Sequence, residues 1–359
     1  MKAILFFGAG SSRPFGVPTM QELPGHLEQA LDGEDAKLFS DVRRGLEEFG
    51  IRADLEAVFT VLNDYGTACK SDLLPPAIAY RFGNTLKDPL RSGQGIEREI
   101  AIENLRRRIQ AMIVEKCEIS GQGQKIFETF HDFLAALAQS FNKDVPNLLL
   151  NHDVNFYTTN YDGALATFVH KAHSLVPSLR DWKVENGTTM TDPIHWDTYN
   201  YTNQSTMLVP LHGSVELHTT DTGVVRYHGR PPELYGESLT GELLIFPVRG
   251  KYIIRDPFAR MFKWLSTDLE VAEFAIFVGF SFSDEAIRDI LRNAMERRVQ
   301  LKQRGAGEVL RIVVIGPSAS KIVDDKLADH RKFVRPIDAS FEDIKAHTEL
   351  TRLLKASWQ

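Results

Sequence analysis

Cysteine is nearly absent from this chain of 359 residues: only Cys69 and Cys117 occur. Two thiols supply neither a disulfide framework nor a four-thiolate zinc site, so no metal is expected, and they suit a reducing compartment. An excess of positive charge is lacking too. Forty-two Lys and Arg stand against 48 Asp and Glu, a net charge of −6. The summed field therefore does not draw polyanions, and direct nucleic-acid binding is not expected despite the local run Arg106 to Arg108. Long apolar runs are missing as well. The longest, Phe274 to Phe282, is closed by Glu273 and Asp284 and falls far short of the roughly 18 residues of a membrane span. Ala3 to Phe7 is too short for the apolar core of a secretory signal. These absences predict a soluble, cytoplasmic protein without a membrane partner.

What is present is ordinary globular composition, 43% hydrophobic and 25% charged, enough for one large α/β domain with an insertion or about two domains of roughly 150 residues. Three short β-rich runs each meet a glycine at once: Ala3 to Phe7 before Gly8, Phe274 to Val278 before Gly279, and Ile312 to Ile315 before Gly316. A fourth, Val154 to Thr158, runs into Asn160-Tyr161-Asp162. Strand, small-residue turn, helix is the unit of a parallel sheet, so the expected fold is α/β, a Rossmann-like doubly wound parallel sheet. Ile287, Ile290, Leu291 and Met295 follow at helical spacing, with Ser283 as the expected N-cap.

Between about 34 and 142 strand signals nearly vanish. Leu105, Ile109, Met112 and Ile113 share one helical face, as do Phe127, Phe130, Leu134 and Leu137. A helical insertion over 34–142 within a single domain spanning 1–359 is expected, broken at Pro75-Pro76 and at Gly93 to Gly95. Ser178 to Thr206 has no clear period and reads as a long loop of the kind that walls or covers a site.

Four motifs can carry chemistry. The loop from Gly8 to Pro18 places glycines where backbone amides and serine hydroxyls can cradle phosphate. Its Gly-x-Gly-x5-Gly spacing departs from the dinucleotide fingerprint and disfavours a plain Rossmann dehydrogenase; a simple strand-to-helix turn would read the same. Thr159-Asn160-Tyr161-Asp162 ends a strand, where open α/β sheets place ligands, although both residue types also cap helices. His212 in Leu211-His212-Gly213-Ser214 suits a general base, or a structural histidine. Gly279-Phe280-Ser281-Phe282-Ser283 is a second glycine and serine turn, able to hold ribose or phosphate or merely to start a helix.

In this order and context the four motifs resemble the sirtuin-like NAD-binding domain, from Leu5 to about Ile315. Asp54 to Phe59 resembles the helix that bacterial defence members carry after the first turn. The resemblance implies that the loop opening at Gly8, with Ala9, Gly10 and Ser12, holds phosphate and ribose, closed by Pro18. It implies that Asn160, with Thr159 beside it, positions the nicotinamide ribose and the attacking water. Asp162 would then recognise the carboxamide and His212 act on the ribose hydroxyls. Gly279 and Ser281 would hold the adenosine side, with Gly316 near the adenine.

The sequence departs from sirtuin deacylases in three places. Their loop proline is followed by Asp-Phe-Arg, where this chain has Thr19-Met20-Gln21. Their four-cysteine zinc module is lacking. After Ser214 comes Val215-Glu216-Leu217, not Phe-Gly-Glu. What remains resembles the sirtuin-like NADases of bacterial anti-phage defence. That implies hydrolysis of NAD+ to nicotinamide and ADP-ribose, with NAD+ as substrate and no metal. ADP-ribosyl transfer, cyclisation and non-catalytic sensing of NAD or ADP-ribose stay open. A lethal activity needs a gate, and the helical insertion and the loop Trp182 to Tyr201 are the expected gate or assembly surfaces. With little length left for a sensor domain, the resemblance implies a homo-oligomer paired with a HerA-type ATPase or helicase ahead of a short Argonaute.

Overall fold

The computed structural model describes residues 2–70, 95–180, 182–185, 194–195, 206–220, 224–226, 239–245 and 258–356. Its strands are β1 (Ala3–Phe7), β2 (Val154–Thr158), β3 (Val184–Glu185), β4 (Ile194–His195), β5 (Thr206–Pro210), β6 (Gly213–Thr220), β7 (Val224–Arg226), β8 (Leu239–Leu244), β9 (Phe274–Val278), β10 (Arg311–Gly316) and β11 (Val334–Asp338). Seven of them form one sheet in the order β11, β10, β9, β1, β2, β5, β3, and every pairing is parallel. A second sheet, antiparallel, runs β4, β7, β6, β8. The α/β, Rossmann-like doubly wound sheet is the architecture observed.

A parallel sheet needs both faces covered, which is why β1, β2, β5 and β9 are buried at every position. Alternate residues divide between the faces. Leu5 and Phe7 look toward Phe130 and Phe133, from helix Gly123–Ser140, and toward Leu350, from helix Ile344–Lys355; the Phe7 and Phe130 rings lie 5.1 Å apart. On the other face Phe6 packs against Phe277 and Phe280. Helix Phe258–Val271 sends a fully buried Asp268 to the same face, where Tyr157 Oη donates to it at 2.7 Å, Asn155 donates as well, and Lys2 Nζ lies 3.1 Å away. Three donors offset the cost of dehydrating that carboxylate.

The chain divides into two compact units. One comprises Met1–Val17, Glu118–Leu244 and Ile253–Gln359, and holds both sheets. The other comprises Pro18–Cys117 and Ile245–Tyr252, with helices Leu23–Ala30, Gly33–Glu48, Leu55–Lys70 and Gly95–Cys117. The helical insertion expected over 34–142 overlaps this second unit. Its last helix, Gly123–Ser140, instead buries Ile126, Phe130, Phe133, Leu134 and Leu137 in the core of the sheet unit. The physical reason is its wide apolar face, which matches the sheet better than a solvated surface.

In the helical unit Leu105, Ile109 and Ile113 are buried. The basic run is neutralised locally: Arg106 and Arg107 pair with Glu103, and Arg108 with Asp32 and Asp35. The expected breaks at Pro75-Pro76 and at Gly93 lie outside the described residues. Among the described residues no helix is long and apolar enough to cross a membrane.

Candidate functional site

β1 is the topological switch of the large sheet, paired with β2 on one side and β9 on the other. Open α/β sheets bind ligands outside the carboxyl ends of strands at such a point. The four motifs singled out in the sequence leave the carboxyl ends of β1, β2, β5 and β9, which are consecutive in the sheet.

The turns after β1 and β9 are pressed together, backbone on backbone. Gly8 N donates to Val278 O at 2.9 Å, Gly10 N to Gly279 O at 3.0 Å, and Gly279 N to Ile315 O at 2.8 Å. Gly279 has φ +62°, and a Cβ there would lie 2.3 Å from Ser11 N. A Cβ on Gly8 would lie 2.6 Å from Phe280 Cα. These glycines permit contact between loops. Ser11 N and Ser12 N turn inward too, to Gly8 O and Ala9 O, so much of what this turn offers a ligand is hydroxyl groups rather than amides.

Those hydroxyls meet the turn after β2. Asn160 Nδ2 donates to Ser12 Oγ at 2.8 Å and to Ser11 Oγ at 3.3 Å, and Asn160 N donates to Thr158 Oγ1 at 2.9 Å. Asn160 is 8% exposed, and its Oδ1 is buried with no hydrogen-bond partner among the described residues. Such an orphaned acceptor costs about 1–3 kcal/mol unless a donor arrives. Asp162 accepts from Ala164 N, the first residue of the helix Ala164–Leu175, at 3.0 Å, and takes a further hydrogen bond from Ser12. Burial pushes its carboxyl above the ordinary carboxylate range. The bonds from Ser12 and from the Ala164 and Asp162 amides pull it back, and the charge of Glu216 raises it further. Asp162 thus both holds the first amide of a helix and joins the cluster.

His212 stands two residues beyond Pro210, and Asn160 two beyond Thr158, which is Pro210's partner in the sheet. The two loops stay joined, Leu211 N donating to Thr158 O and Val215 N to Tyr161 O, both at 2.8 Å. The His212 ring is 7% exposed, lies 21° from parallel to Phe262, and places Nε2 3.0 Å from Asp284 Oδ2. Asp284 follows β9, so this contact joins loops from strands that are not neighbours. Sequence reasoning passed over Asp284 as a site residue because Asp at a helix start is so common. It expected Ser283 as the N-cap. Asp284 is the cap, accepting from Ile287 N at 3.2 Å, while the exposed Ser283 takes a hydrogen bond from Ser281. The reason is the backbone: Phe282 at φ +54° delays the helical start by one residue.

Other expected residues fall less centrally. Gly316 ends β10, and a Cβ there would meet nothing within 4 Å. Ser281 is exposed, and Pro18 belongs to the second unit. Trp182, expected in a loop that walls or gates the site, is instead 2% exposed in the sheet unit's core, its Nε1 donating to Thr206 Oγ1 at 2.9 Å. An indole with a satisfied N–H gains more from burial than from the surface. Of that loop, residues 181, 186–193 and 196–205 lie outside the described residues.

The SIR2-like domain model matches residues 154–337. The chain belongs to the SIR2-like domain family. The match takes in Asn160, Asp162, His212, Gly279, Ser281 and Gly316, while the first loop precedes it. Among solved structures this SIR2-like chain is similar to a Sir2 homologue in complex with ADP-ribose, at 14% identity and TM-score 0.41 over 99% of this chain and 92% of that one. It is also similar to a Sir2 homologue in complex with NAD, at 13% identity and TM-score 0.40 over 99% and 89%. No curated protein matches it in sequence.

Proposed function

We propose that this SIR2-like domain is an NAD+ glycohydrolase, splitting the nicotinamide–ribose bond to nicotinamide and ADP-ribose. The observation that carries this reading is the cluster of Ser11, Ser12, Asn160 and Asp162, where a buried Asn160 carbonyl oxygen awaits a donor. A ribose hydroxyl or a bound water is such a donor. The three departures from deacylases leave the acyl-lysine apparatus unsupported and the nucleotide loops intact.

In this reading the C1′–N bond breaks with its electron pair leaving on nicotinamide, which neutralises the pyridinium and needs no general acid. The ribosyl cation resembles that of glycoside hydrolysis. Asn160 orients the ribose and the water. Asp162 holds the carboxamide, and the first loop with Gly279 and Ser281 holds the rest of the dinucleotide. Water adds to C1′, and its proton passes through the ribose hydroxyl and His212 to solvent. A base so placed contributes about a hundred- to ten-thousand-fold.

His212→Ala should lower nicotinamide release from NAD+ by about that factor, and Asn160→Ala should abolish it, each with unchanged circular dichroism. Parental-rate release by the double variant would overturn the assignment. Mass analysis of the other product separates free ADP-ribose from a cyclic or protein-bound form. We propose further that the activity serves anti-phage defence by depleting NAD+ in abortive infection. It would be held in check by homo-oligomerisation and by a HerA-type ATPase, with a short Argonaute as the second choice of partner.

A further inference from the structure

We infer that Asp284 is a positioning residue for His212, its carboxylate fixing the ring and the nitrogen that carries its proton. This rests on the reading of His212 as the base. Asp284 Oδ2 lies 3.0 Å from His212 Nε2, and both side chains are nearly buried, at 12% and 9% exposure. At 3.0 Å this is an ion-pair contact rather than an aligned hydrogen bond; a carboxylate on that side of a neutral imidazole favours the proton on the near nitrogen, Nε2, and leaves Nδ1 as the acceptor. The same arrangement stabilises the imidazolium when the ring takes up a proton. Phe262 flanks the ring, 6.4 Å away between centroids and 21° from parallel.

The turn that carries Asp284 is built to aim it. Phe282, fully buried, sits at φ +54°, a left-handed conformation that is a true outlier for a bulky side chain. Phe277 and Phe280 pack on its ring, centroids 4.8 and 4.9 Å away, and Arg288 Nη1 donates to its carbonyl at 3.0 Å. Asp284 itself is pinned by its other oxygen, Oδ1, on Ile287 N. One carboxylate thus ends a strained turn, starts a helix and faces the histidine. A plain N-cap needs only the second of these.

The test is Asp284→Asn, because asparagine caps as well as aspartate and lacks the charge. The expected outcome is a kcat for nicotinamide release at least tenfold lower, with KM within twofold, an unchanged thermal midpoint and a changed proton position on the ring. That position is read from the long-range 1H–15N spectrum of the imidazole, assigned by its loss in His212→Asn. An unchanged ring spectrum would overturn the inference, as would parental kcat in the variant or a fall in thermal midpoint that tracks the loss of activity. If the parental chain released no nicotinamide, the glycohydrolase reading would fail alone, and the ring spectra of the two proteins would still decide whether Asp284 governs His212.

Discussion

Asp162 shows how one residue can answer two needs at once. Its Oδ1 accepts from the first amide of a helix while the carboxyl, raised by burial and by Glu216, joins Ser12 in the cluster. The sequence leaves helix cap and ligand group open for it; in the structure the N-cap is Gly163, and Asp162 satisfies the first helical amide from one residue further back. A raised carboxyl binds its proton more tightly folded than unfolded. Its contribution to stability is therefore fully present below the ordinary value of 3.8 and is lost as pH climbs through the raised one. Asp162→Asn keeps the bond to Ala164 N and removes the charge. Its thermal midpoint should match the parent's in strong acid and exceed it increasingly toward neutrality. A gap between the two proteins that stays constant with pH, followed by scanning calorimetry, would refute the buried charge as the cause. The Asn160 amide is open to the same two readings in sequence, because Asn caps helices as readily as Asp.

Elements were legible where a run of one kind filled them. β1, β2, β9 and β10 coincide with apolar runs read from sequence, since a doubly buried strand admits little else. Helix Gly123–Ser140 was legible as a helix but not in its allegiance, because an apolar face does not name its partner. The glycine turns were recognised without their main local task. Gly279 combines a left-handed φ with a Cβ position 2.3 Å from Ser11 N. Gly279→Ala should cost about 1–2 kcal/mol in backbone strain alone, with loop displacement adding to it. Urea midpoints of the variant and of Gly305→Ala compare two left-handed glycines, only one of which would meet a neighbour. The larger loss should fall at Gly279, together with activity; equal losses would show that contact between the turns matters little.

At the scale of the whole molecule the sheet brings together loops that the chain keeps far apart, and this is why order and context of the motifs were readable while their contacts were not. His212 against Asp284 is the clearest case: nothing in either neighbourhood announces the other. The division into a sheet unit and a helical unit bears on control, because the helical unit is left unexplained by any role at the strand tips. If assembly gates the activity, nicotinamide release per chain should rise with protein concentration and on addition of a HerA-type ATPase, the partner proposed above, in step with particle mass measured by light scattering. A rate per chain that ignores both would rule out control by assembly.

β1 and β9 are neighbours in the sheet, yet most of the described elements lie between them in the chain, and Asp284 lies beyond β9. A ribosome that has delivered β1, β2 and His212 has still to deliver the carboxylate that faces the imidazole. The contact between His212 and Asp284 therefore forms only once β9 and the turn beyond it have been made.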